Sequence, residues 1–109
     1  MKLPAAVYSM LGAVPVTLKE KIRFEKRYPF GLFRFDSRAI EVENKQCAAA
    51  QLAALCHEMT HVALYDAGVP NALSDDAVEL VCDAVGTYIA AAVQAGYIKL
   101  QVPKGNTGV

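Results

Sequence analysis

The sequence predicts an α+β fold, a small antiparallel-rich sheet followed by two packed helices, and three observations carry that expectation. Apolar residues alternate with polar ones between Val14 and Val42, which suits half-buried strands. From Gln46 to Gly96 apolar residues recur instead at helical offsets, in two long runs. Breaks at Tyr28-Pro29-Phe30-Gly31 and at Gly68 separate the runs. The chain of 109 residues is the size of one domain, so residues 1–109 are expected to share one core, with 103–109 as a flexible, polar tail.

Taken in order, residues 1–12 predict a short opening helix, because Leu3, Val7, Met10 and Leu11 fall near helical spacing and Gly12 stops the run. Val14, Val16 and Leu18, then Ile22 and Phe24, predict a strand that Pro15 restricts to a marginal place in a sheet. Leu32–Phe35 and Ala39–Val42 flank Asp36-Ser37-Arg38 and predict a hairpin. Phe33, Phe35, Ile40 and Val42 are expected inside, with Arg34, Glu41 and Glu43 in water. Asn44 is a candidate cap for a helix running from Gln46 to about Ala67 through Ala49, Leu52, Ala53, Cys56, Met59, Thr60, Ala63 and Leu64. Ser74, followed by Asp75 and Asp76, caps a second helix that carries Val78, Val81, Cys82, Val85, Ile89, Ala92 and Val93 and ends near Gly96. Residues 97–102 are expected to add a short strand or an irregular return.

Charge and composition exclude several functions. The chain balances 11 basic against 11 acidic residues, which leaves no broad field to attract nucleic acid or an anionic membrane. Its longest apolar stretch, residues 48–55, falls far short of the roughly 20 residues of a membrane span. A soluble, cytoplasmic protein without nucleic-acid or membrane partners is therefore expected. Cys47, Cys56 and Cys82 fit no disulfide framework and are expected to be reduced.

The segment His57-Glu58-Met59-Thr60-His61 carries chemistry. Each helical residue advances about 100°, so His57 and His61 share a face one turn apart and can hold one metal ion, with Glu58 at the edge of that face. A metal bound by imidazoles with one position open brings the pKa of water toward neutrality, and a neighbouring carboxylate can take the proton as that water attacks a carbonyl carbon. Such a pattern also arises by chance. Here, however, the two histidines are the only ones in the chain and sit mid-helix in an apolar stretch, where unpaired polar groups are costly. A third ligand is expected from the second helix, where Asp76, Glu79 and Asp83 share one face. Glu79 is preferred as ligand, with Asp83 accepting a hydrogen bond from a ligating histidine and fixing its tautomer; Asp76 and Asp83 stand as alternative ligands. A competing arrangement uses Cys56 and Cys82 with both histidines as a closed structural site. Cys56 opposes it, since it points about 100° away from His57 into what reads as core.

The histidine segment, followed on a second helix by Glu79 and Asp83 in Glu-x-x-x-Asp spacing, resembles the gluzincin metallopeptidases. It looks most like the very small members found in phages and mobile elements, related to the ImmA/IrrE-like group, and the resemblance spans about Gly31 to Val93. It implies a minimal zincin-like domain with Zn2+ held by His57, His61 and Glu79, Glu58 as general base and Asp83 in support. It further implies a protein or peptide substrate, bound by strand addition along a sheet edge around residues 38–43. Motif spacing does not identify the residue that polarises the scissile carbonyl: Tyr65 lies one turn beyond His61 and Tyr88 further along the second helix, and neither is assigned. Two other functions compete with peptide hydrolysis. One is a non-catalytic interaction domain in which the metal only pins the two helices; the other is a latent enzyme with its tail across the cleft. Glu58 favours hydrolysis, because a structural site has no need of a carboxylate beside its ligands.

Overall fold

The computed structural model describes residues 2–100 and has α+β architecture, a four-stranded mixed sheet followed by two packed helices. Strands β1 (Ala6–Ser9), β2 (Gly12–Lys19), β3 (Gly31–Arg34) and β4 (Ala39–Glu43) lie in the order β1-β2-β4-β3. The pairs β1–β2 and β3–β4 are antiparallel, and the two hairpins join through a parallel pair, Val16 opposite Ile40 and Leu18 opposite Val42. Helix α1 (Ala48–Asp66) packs against β3, β4 and β1, and helix α2 (Asp75–Gln94) packs against α1. Val7, Val14, Phe33, Ile40 and Val42 from the strands meet Leu52, Leu55, Cys56 and Val62 of α1 and Ala90 and Val93 of α2 in one apolar core.

The opening helix expected over residues 1–12 is instead a β1–β2 hairpin. Gly12 adopts φ 117°, a conformation other residues rarely take, and so turns the chain back instead of ending a helix. The Ser9 hydroxyl secures the turn by donating to the Gly12 carbonyl at 3.2 Å and accepting from the Leu11 amide at 3.1 Å. Strand β2 ends at Lys19, short of Ile22 and Phe24. Beyond it Ile22 is fully buried, and Phe24 forms only an isolated bridge to Arg27 around Glu25, whose φ is 57°.

The β3–β4 hairpin matches expectation in place, with two corrections in orientation. Phe35 lies past the end of β3, is exposed and stacks on Tyr65 of α1 at 5.6 Å between centroids. Glu41 is buried, because β4 is an inner strand covered on both faces; its carboxylate sits 3.1 Å from both Lys19 Nζ and Arg34 Nε. The same topology corrects the expected peptide-binding edge. Residues 39–43 are flanked by β2 and β3, and the edges of the sheet are β1 and β3.

Helix α1 begins later than its expected cap. Cys47 occupies the cap position, while the Glu43 carboxylate accepts the amides of Lys45 and Gln46 at 2.8 and 2.9 Å and holds residues 44–46 in a turn that Asn44 therefore does not cap. Ser74 caps α2 as expected, accepting from the Ala77 amide at 3.2 Å. No strand forms over residues 97–100, and the remainder of that expected return, with the tail 103–109, lies outside the described residues. No helix among the described residues is long and apolar enough to cross a membrane.

Candidate metal centre

Two helices build the site, and one glycine sets their separation. A Cβ placed on Gly86 of α2 would lie 2.8 Å from His57 Cα and 2.9 Å from His57 N, nearer than real contacts allow. The bare backbone at Gly86 therefore lets α2 touch α1 at the first histidine. Glu79, Cys82 and Asp83 lie on the same helix at offsets of seven, four and three before Gly86, so all are carried toward α1.

His57 Nε2 and His61 Nε2 converge on a single oxygen, Glu79 Oε2, each at 3.1 Å. Donors around a tetrahedral zinc at ordinary bond lengths stand ~3.3 Å apart, so these spacings fit a cation held by two imidazoles and one carboxylate. With the Cys82 thiol, one donor atom from each of His57, His61, Glu79 and Cys82 lies within 4.8 Å of the others, a group that could hold a metal ion. On the other side of the first ring, His57 Nδ1 is 3.0 Å from Asp83 Oδ1. With a cation between Nε2 and Glu79, that contact would favour the tautomer with hydrogen on Nδ1 and leave the Nε2 lone pair for the metal. Asp76, a turn earlier and exposed, is not among the clustered donors.

Glu58 is 7% exposed, and its Oε2 stands 3.9 Å from His57 Nε2. Burial pushes its carboxyl up to about 7, against the opposing pull of His57 and of the Phe33 backbone amide that faces it. Gly31 closes the other side. A Cβ there would meet Ala54 Cβ and Glu58 Cγ at 3.3 Å and Glu58 Oε2 at 3.4 Å. The bare backbone at Gly31 thus leaves room for the Glu58 side chain beside β3. Burial also lowers the pKa of His61, with Glu79 acting in the opposite direction, which favours the neutral imidazole a metal requires.

The two helical thiols are placed differently. Cys56 is fully buried within the apolar core, and burial pushes its thiol up to about 11. Cys82 is fully buried beneath the site, and burial, reinforced by Glu79, Glu58 and Asp83, pushes it up to about 12. The closed Cys56–Cys82 arrangement is therefore not formed, but Cys82 alone reaches the histidines. Its offset of three from Glu79 was the signal in the sequence for that position. Gly86 was detectable only as a glycine inside a regular pattern, and Gly31 read as part of the break before the hairpin.

Tyr65 packs edge-on to Phe33 at 5.9 Å as well as on Phe35, and Tyr88 is exposed. Beside the site, the Glu43 amide donates to the Phe30 carbonyl at 2.9 Å. Antiparallel alternation from that bond turns the backbone groups of Gly31 and Phe33 outward on the free side of β3. No family model, curated protein or solved structure matches this chain.

Proposed function

We propose that this chain is a zinc-dependent peptidase of gluzincin type, with His57, His61 and Glu79 as ligands and Glu58 as general base. The observation that carries the reading is the convergence of two imidazole nitrogens on one Glu79 oxygen, with a buried carboxylate alongside. When bound, zinc supplies Lewis acidity and brings a water molecule's pKa toward neutrality. Glu58 Oε2 takes the proton of the attacking water and passes it to the leaving nitrogen, a task suited to a carboxyl held near 7. Asp83 keeps His57 in its ligating tautomer.

An extended substrate suits the outer side of β3, where the outward amide and carbonyl of Gly31 and the carbonyl of Phe33 would pair with its backbone, the Phe33 amide being taken by Glu58. That edge replaces the one around residues 38–43. The alternative, a metal-pinned interaction domain without turnover, leaves the burial of Glu58 beside the ligands unexplained.

Metal content of the purified chain, together with hydrolysis of a peptide library, tests the reading. About one zinc per chain is expected, kept in Asp76→Ala and Glu58→Gln and lost in Glu79→Ala. Cleavage should fall ~10²-fold or more in Glu58→Gln. A wild-type chain that cannot be loaded with zinc would remove the enzyme, and a loaded chain that cleaves no better than Glu58→Gln would leave the interaction domain.

A further inference from the structure

Cys82 is the one member of the four-donor group for which peptide hydrolysis has no use. We propose that its sulfur is a fourth ligand, giving the centre a closed, thiolate-bound form besides the open form that hydrolysis requires. The inference rests on the metal site described above and concerns how that site is regulated.

Three observations carry it. The sulfur lies within 4.8 Å of the donor atoms of His57, His61 and Glu79. A zinc tetrahedron with a Zn–S bond of about 2.3 Å needs sulfur ~3.6 Å from its neighbours, so the movement required is no more than roughly 1 Å. Second, the four donors divide by depth. Glu79 is exposed and the histidines are half-buried, whereas Cys82 is fully covered, so it approaches from the floor of the site and leaves the outer side to Glu79. Third, the two buried thiols differ in surroundings: Cys56 belongs to the packed apolar core and Cys82 does not.

The step involves no oxidant or reductant. Ligation would displace the thiol proton, which would leave by way of the exposed Glu79 carboxylate beside it, and the sulfur would occupy the position that an attacking water needs. Reprotonation of the sulfur would release that position. A centre of one sulfur, two nitrogens and one oxygen is also a coordination set zinc accepts.

Cobalt substitution reads the sulfur directly. The protein loaded with one Co2+ per chain should show an intense near-ultraviolet thiolate-to-cobalt band. The band should persist in the Cys47→Ser/Cys56→Ser double variant, which leaves Cys82 as the only thiol, and disappear in Cys82→Ser with cobalt still bound. A cobalt-loaded wild type without the band overturns the proposal even if the Cys82 variant does not fold, and so does a band lost in the double variant. A chain that takes up neither cobalt nor zinc overturns the metal centre itself, which separates that failure from the failure of thiolate ligation.

Discussion

Asp83 reaches its partner from an exposed position, and its contribution lies in orientation. Its 3.0 Å contact with His57 Nδ1 holds the ring so that Nε2 faces Glu79. Carboxylates in that position usually affect metal affinity by 10–100-fold, so Asp83→Asn should weaken zinc binding by about that factor, measured by competition with a chromophoric chelator. An unchanged affinity would reduce the contact to a surface ion pair. At this scale much was legible in advance. An offset of four puts His57 and His61 on one face whatever the rest of the chain does, and the same angular rule puts Asp76, Glu79 and Asp83 on one face of α2 without choosing among them. Cys82 was weighed only together with Cys56, and the packing of the helices separates the two thiols. Gly31 and Glu41 were not legible, because their roles depend on what packs opposite them; a strand carboxylate reads as exposed until its strand proves to be an inner one.

Helix α2 is defined as much by a missing atom as by its cap. Alanine at Gly86 would gain about 1 kcal/mol in helix propensity. Against this, its Cβ would stand 2.8 Å from His57 Cα, a backbone atom that cannot rotate away. Overpacking of this kind usually costs ~1–3 kcal/mol, and a backbone neighbour favours the upper end. Gly86→Ala should therefore destabilise the protein by roughly 1–2 kcal/mol in urea unfolding and weaken zinc binding as α2 retreats from His57. A variant of wild-type stability would show that the helices separate without loss. The two long helices and the β3–β4 hairpin were readable because each pattern runs for several turns or alternations. The opening segment was not. Leu3, Val7, Met10 and Leu11 match helical spacing over a run too short to discriminate, and in the fold only Leu3 and Val7 of the four are buried.

The whole molecule is tied together by one side chain from the hairpin turn. Arg38, at φ 52°, donates to Asp66 Oδ1 and Oδ2 at 2.7 and 3.0 Å and to Ser9 Oγ at 2.9 Å, joining the β3–β4 turn, the end of α1 and the end of β1. That pairing holds the Asp66 carboxyl below its usual value of 3.8. A depressed carboxylate stabilises the fold fully above its unfolded-state pKa and loses that contribution as pH falls through its folded-state value. Stability should thus decline below about pH 4, and Asp66→Asn should be less stable at neutral pH but flatter across that acid range. Parallel curves from urea unfolding at several pH values would assign the acid sensitivity elsewhere. Sheet order was the least legible feature at this scale, because alternation defines a strand's faces and says nothing of its neighbours. The parallel joint also bears on the order of events in folding. Each hairpin closes across a short turn, whereas Val16 meets Ile40 only after a long loop closes, so the hairpins are expected to form separately and dock late. Truncating Leu18 at the joint should then mainly accelerate unfolding, and a folding rate that falls in proportion to the lost stability would place docking early.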